Sequence, residues 1–328
     1  MRIFAKKLLT FSLAAAVAPA WAETVPLPPD DVSVIGEMRS VRARQEDTLS
    51  DIARRYGLGY QEAVLANPGI DPWVPGEGTK IVLPMQHILP DAPREGVVIN
   101  IPEMRLYYYP PAKKGMPRQV ITLAVSIGRM DWKTPLGVTR VIQKTANPAW
   151  YPPASVRIEH AERGDILPKV VPPGPDNPLG KFAMRLDIPG YLIHSTNNPY
   201  GIGMRVTHGC IRLYPEDIQA FFDSVPVGTP VRLVNQPFKA GRRDGELYFE
   251  AHPPLDEDQD TYKNFRTHAA KAVIAASSRG DAGIDWKRVE QAASAKQGMP
   301  TMVSLELAKP PAEASAEIIK RVSVQLGE

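Results

Sequence analysis

Between Gly96 and Asn235 the apolar positions fall in short runs of period two, closed by Gly, Pro or Asn. Residues 97–101, 105–109, 120–127, 138–142, 182–188, 191–194 and 231–234 are rich in branched and aromatic side chains, so each is predicted as a strand. A helix is predicted over 215–225. The pattern implies a sheet-built domain, a sandwich or open barrel carrying one helix. Residues 144–180 interrupt it with eight prolines. So long an interruption inside a compact domain is usually functional or disordered, and a flap covering a cleft is the preferred reading.

Upstream the period changes. Residues 41–44 alternate like a strand, Asp47, Thr48 and Ser50 offer capping oxygens, and Ile52, Ala53 and Tyr56 share one helical face. Gly57 and Gly59 end that helix. Residues 62–66 supply a second, Asn67-Pro68-Gly69 turns the chain, and 80–83 returns as a strand. This βααβ order marks a small module over 38–85. Leu27-Pro28-Pro29-Asp30 before it reads as a flexible lead-in, and Pro84, Pro90 and Pro93 mark a junction over 84–94. The C-terminal extension, 236–328, is predicted to be partly helical, over 262–278, 286–296 and 312–326, with Gly280 and Gly283 between the first two. Asp256-Glu257-Asp258, with Asp260, reads as solvated surface. The pattern leaves open whether this extension covers the strand-rich domain, binds an acceptor or trails as an arm.

Charge and composition then bear on location. Arg2, Lys6 and Lys7 precede an apolar run over 8–18, and Ala20-Trp21-Ala22 has the small-x-small form of a cleavage site. About 11 apolar residues are too few to span a bilayer, so residues 1–22 are predicted to be a signal peptide. The mature protein is then exported, with no transmembrane segment. Cleavage removes three of the 39 basic residues and none of the 36 acidic ones, leaving the remainder balanced. That balance removes the electrostatic case for nucleic acid as a partner.

Cys210 is the only cysteine. An exported chain with one thiol cannot form an internal disulfide, so the sulfur is inert, bridged to another chain, or chemically used. Used as a nucleophile, it needs a base or a cation beside it. His194, sixteen positions upstream at the end of an apolar run, is the candidate general base and acid, to be brought to the thiol by an adjacent strand. His208 shares the side of Cys210 in an extended segment and is assigned support of the loop or substrate contact. Thr207 is expected to hold an imidazole by a hydrogen bond. Gly209 is expected to let its own N–H and that of Cys210 converge on an oxyanion. Arg212 and Tyr191 are the candidate substrate-binding residues, Arg212 by meeting a carboxylate. Each has a plainer reading: a buried apolar cysteine, a hydrogen-bonded structural histidine, a solvated arginine. His194, His208 and Cys210 lack the paired spacing of structural zinc sites, so no metal is expected.

Ile193-His194-Ser195-Thr196, the loop with Gly201-Ile202-Gly203, and Thr207-His208-Gly209-Cys210-Ile211-Arg212-Leu213 together resemble the signature of the YkuD-type L,D-transpeptidases. The likeness continues through Pro175-Asp176-Asn177-Pro178-Leu179-Gly180 and Tyr214-Pro215-Glu216-Asp217-Ile218, and is greatest to the periplasmic ErfK/YbiS/YcfS/YnhG group. Ser195 stands where that family commonly has glycine. The βααβ module, with Asp47-Thr48-Leu49, Ile52-Ala53, Tyr56-Gly57 and Asn67-Pro68, resembles a LysM domain, which binds peptidoglycan glycan through a shallow groove.

The resemblance implies an α+β, mainly β protein: a β-sandwich-like catalytic domain over 95–235 behind a LysM-like module. It implies a periplasmic enzyme of Gram-negative bacteria needing no metal or organic cofactor. Cys210 would attack the carbonyl of diaminopimelate in a tetrapeptide stem, His194 would pass the thiol proton to departing D-alanine, and a thioester would form. An amine would resolve it: the C-terminal lysine of a Braun-type outer-membrane lipoprotein, which the likeness favours, or a neighbouring stem, giving a 3→3 cross-link. Two alternatives remain, a carboxypeptidase in which water replaces the amine, and a non-catalytic peptidoglycan-binding protein.

Overall fold

A computed structural model describes residues 23–278 and 283–305. The expected signal peptide and the helix predicted over 312–326 lie outside them. The chain opens with β1 (Glu23–Pro26) and β2 (Val34–Gly36). The predicted βααβ order follows as β3 (Arg39–Arg42), α1 (Leu49–Arg55), α2 (Tyr60–Ala66) and β4 (Lys80–Leu83). Thr48 caps α1: its Oγ1 accepts from Asp51 N–H at 3.1 Å while the Asp51 carboxylate accepts from Thr48 N–H at 3.0 Å. Leu49, Ile52, Ala53, Leu58, Ile81 and Leu83 then close a separate small core. Asn67 ties it together, donating to Ala63 O and Val82 O and accepting from Val82 N–H.

The segments expected to be loose are held. β1 pairs with the edge of the main sheet, and the Arg94 guanidinium donates to the carbonyls of Pro28, Pro29 and Val32, so the lead-in is fixed rather than flexible. The proline-marked junction contains β5 (Gln86–Ile88), which pairs with β2.

The strand-rich part comprises β6 (Gly96–Asn100), β7 (Arg105–Tyr109), β8 (Gln119–Ala124), β9 (Ile127–Gly128), β10 (Gly137–Ala146), α3 (Ala154–Glu162), β11 (Phe182–Leu186), β12 (Leu192–His194), β13 (Arg205–Thr207), β14 (Ile211–Arg212), α4 (Pro215–Ser224) and β15 (Pro230–Val234). Every predicted strand has its counterpart here. Instead of separating into the two layers of a sandwich, nine strands form one mixed sheet in the order β1-β8-β7-β6-β15-β10-β11-β12-β14. The pairs β6–β15 and β12–β14 are parallel and the others antiparallel. Just past β8, Ser126 exchanges backbone hydrogen bonds with Arg212 of β14 at 2.9 and 3.2 Å, which curls the sheet back on itself. One core lies inside, with Ile99, Leu106, Leu123, Met184, Ile193, Ile211 and Leu233 packed against Ile218 and Phe221 of α4.

The C-terminal extension is less helical than expected. β16 (Phe238–Arg243) and β17 (Glu246–Ala251) form a hairpin through Asp244-Gly245, both at positive φ, and β18 (Thr301–Met302) joins β17. α5 (Phe265–Ala276) and α6 (Trp286–Ala295) correspond to two predicted helices and share a core with this sheet. Lys239 joins the extension to the rest: its buried ammonium lies 2.8 Å from Glu103, 2.8 Å from Glu250 and 2.6 Å from Ile88 O. Glu103, Glu250 and His252 come close enough together to hold a cation, and Lys239 already lies against both carboxylates. The acidic run is engaged as well, since Asp256 and Glu257 pair with Arg205 of β13 at 3.2 and 2.9 Å. Among the described residues no helix is long and apolar enough to cross a membrane.

Candidate active site

Three strands make the floor of a cleft of about 410 Å³. Side chains alternate along each strand, so register fixes which residues share a face. Met184, Ile193 and Ile211 stand in one row across β11, β12 and β14, and all three are buried in the core. Their neighbours must face the other way. One outward row is Ala183, His194 and Arg212, and the next is Arg185, Leu192 and Cys210. His194 and Cys210 thus lie diagonally, roughly 5 Å across and 7 Å along neighbouring strands. Both line the cleft with Arg185, Leu192 and Arg212. The expected adjacent strand is β12, and it runs parallel to β14.

The electrostatics describe a neutral resting pair. Burial pushes the Cys210 thiol up, against a backbone hydrogen bond from Leu192 and the Arg212 charge, and Sγ donates weakly to Gly190 O at 3.6 Å. Burial pulls His194 down to about 3, with the Arg212 charge adding, while backbone groups of Ser195 and Leu179 oppose. Its Nδ1 is buried without a hydrogen-bond partner. A neutral imidazole is able to accept a proton, which is what a general base requires.

The loop before the thiol departs from expectation. Thr207 holds no imidazole: its Oγ1 donates to Cys210 O at 2.6 Å and accepts from Gly209 N–H at 3.1 Å. The Gly209 N–H is thereby occupied and unavailable to an oxyanion, whereas the Cys210 N–H has no partner among the described residues. A hydroxyl both donates and accepts, which sequence position alone did not reveal. Gly209 has φ +99, and a Cβ there would sit 2.7 Å from the Tyr191 ring. Tyr191 therefore props the turn, with its hydroxyl donating to Lys133 O at 3.1 Å, and also lines the cleft. His208 faces Trp132 edge to ring at 5.1 Å and places Nε2 2.8 Å from Glu159. Burial first, then the Arg129 charge, lowers it to about 4. Arg212 is largely buried, has no carboxylate partner among the described residues, and leaves Nε unpaired.

The proline-rich interruption forms the opposite wall through Trp150, Tyr151, Pro153, Val156, Pro178 and Leu179. It is shorter and more ordered than predicted, because β10 runs on to Ala146 and α3 occupies its middle. Asn177 gathers the carbonyls of Pro148, Val171 and Pro172. Glu159 of α3 binds Arg129 at 3.0 Å, Arg163 and His208, so it joins this wall to the thiol loop. No motif marked Glu159, Trp132 or Thr134, whose Oγ1 donates to Gly209 O at 2.9 Å, and Arg185 lay inside a predicted strand without being singled out.

The βααβ module abuts the loop between His194 and Thr207. The N–H groups of Tyr60 and Gln61 donate to Ile202 O and Gly203 O at 3.0 and 3.2 Å. A Cβ on Gly203 would lie 2.4 Å from Gly59 Cα. Arg54 makes a two-pronged ion pair with Glu216, at 2.7 and 3.0 Å, and Tyr214 Oη donates to Leu58 O.

Residues 94–233 match the family model of the YkuD L,D-transpeptidase catalytic domain. The chain is 41% identical over 309 residues to the protein named Probable L,D-transpeptidase YcfS of Escherichia coli (strain K12), covering 92% of this chain and 95% of that one. The chain belongs to the YkuD L,D-transpeptidase family. Two further relatives from the same strain, named Probable L,D-transpeptidase ErfK/SrfK and YbiS, are each 38% identical over 90% of this chain and 96% of their own length. L,D-transpeptidases are acyltransferases that act on peptidoglycan, so this member is an enzyme.

Proposed function

We propose that this L,D-transpeptidase works in the Gram-negative periplasm through Cys210 as nucleophile and His194 as general base and acid. The observation carrying this reading is the parallel pairing of β12 with β14, which sets the only cysteine and an unprotonated buried histidine on one cleft face. Sulfur attacks the carbonyl carbon between diaminopimelate and D-alanine while His194 accepts the thiol proton. The unpartnered N–H of Cys210 faces the developing oxyanion. As the amide C–N bond breaks, His194 returns that proton to the D-alanine nitrogen, leaving a thioester. An acceptor amine then attacks; His194 takes its proton and restores the thiol as the C–S bond breaks. Arg212 meets a stem carboxylate, Tyr191, Thr207 and His208 line the cleft, and together with Gly209 they hold the loop.

The favoured acceptor is the C-terminal lysine of a Braun-type lipoprotein, with a 3→3 cross-link as the second route. Water in place of the amine would make the same acyl-enzyme a carboxypeptidase. The 38–85 module serves as a LysM-like glycan anchor. Trp73, 67% exposed after α2 with its ring 6.4 Å from that of Tyr60, supports that role.

Tetrapeptide muropeptides incubated with the protein, with and without a lysine-ended peptide, test the proposal by mass. A conjugate and a trapped acyl-enzyme are expected from wild type and neither from Cys210→Ala. Trimmed stems alone would make it a hydrolase, and normal turnover by Cys210→Ala would dismiss the nucleophile.

A further inference from the structure

Arg185 is absent from the signature around Cys210, yet the sheet places it in the same outward row. Arg185 of β11 pairs with Leu192 of β12, beside which Cys210 lies, so its Cα stands roughly 10 Å from that of the cysteine, two strand spacings away. It lines the cleft. Three other arginines of the strand-rich part are paired with acids: Arg129 with Glu159, Arg140 with Asp187, Arg205 with Asp256 and Glu257. Arg185 and Arg212 have no such partner among the described residues. Two uncompensated guanidinium groups thus occupy opposite corners of the floor, with Cys210 and His194 between them. Ala183, opposite His194, is buried and adds only a methyl group at a third corner.

We propose that Arg185 is a second carboxylate-binding residue, and that the donor is a peptide carrying two carboxylates, one held by Arg212 and the other by Arg185. This rests on the reading of Cys210 as nucleophile. A planar guanidinium is suited to paired hydrogen bonds with a carboxylate, and two such contacts fix both the position and the direction of an extended chain across the thiol. A peptide with one carboxylate is held at a single end and is free to swing. The specificity is therefore for stems anionic on both sides of the attacked carbonyl.

The test uses the full chain, a tetrapeptide donor, and the same donor amidated at each carboxylate in turn. Arg185→Gln is expected to raise KM roughly tenfold on the parent donor with kcat within about twofold, and Arg185→Lys to recover part of the loss. One amidated donor should show the raised KM with wild type and no further rise with Arg185→Gln. A different one should be insensitive to Arg212→Gln. An unchanged KM for Arg185→Gln, an equal rise on every donor, or masking of both arginines by the same amide overturns the proposal. A wild-type protein that never forms a Cys210 thioester overturns the nucleophile reading instead. Because Arg185 is exposed, its variants should melt with wild type, which keeps a KM change attributable to binding.

Discussion

The floor and the flap wall enclose the same cleft by opposite means. The floor is three strands whose outward residues are fixed by the core packed behind them. The wall is the short helix α3 flanked by irregular chain, held by a few polar side chains, chiefly Asn177 and Glu159. Moving one floor residue out of register would turn it into the core, whereas the wall has no such penalty. On the proposed mechanism, position-critical chemistry therefore sits on the sheet, and the more adaptable surface sits opposite.

The contrast is broken most severely at the floor. His194→Ala should lower kcat by about 10²–10⁴ while leaving donor KM nearly unchanged, as single-turnover kinetics will show. In wild type the acid limb of kcat/KM should fall near about 3, not near 6.5, because burial holds His194 neutral. An acid limb near 6.5 would point to a solvated imidazole. Behind the floor, Ile193→Ala should cost about 2–5 kcal/mol in denaturant unfolding, since the cavity opens directly beneath the reactive row.

Effects on the wall should be smaller. Asn177→Ala leaves the buried Pro148 carbonyl without its donor and the Leu179 N–H without its acceptor, and should cost about 1–3 kcal/mol. It should also expose 147–180 to proteolysis before the sheet is cut. Glu159→Gln should change kcat by less than about tenfold but raise KM, and equal losses in both would place Glu159 in the chemistry. Stability should separate from both. His87 and His194 are each buried with the pKa lowered, so the fold favours their neutral forms. Their contribution is complete above about pH 6.5 and is lost as pH falls below it, His194 continuing to about 3. The melting temperature should decline through that window, less steeply in His87→Leu if that variant folds.

The same division governs what the sequence disclosed. The floor was legible because Met184, Leu186 and Ile193 alternate with Arg185, Leu192 and His194, and the motif located Cys210. β14 has two residues, too few for a periodic signal, and its parallel partner is chosen by the whole sheet's curl. α3 buries only Val156, so no apolar stripe announced it or Glu159. The β16–β17 hairpin was a different kind of miss, for Asp244-Gly245 is a strong turn signal between alternating residues. The acidic run misled because composition does not show that Arg205 comes to meet it.

The contact of Gly59 and Tyr60 with Gly203 and Ile202 has a mechanical result. A module fixed this directly to the loop between His194 and Thr207 is held at a set distance and angle from the cleft. Under the anchoring role proposed above, a bound polymer would meet Cys210 at one height and one bearing, and stems outside that arc would have to be brought in by movement of the polymer itself.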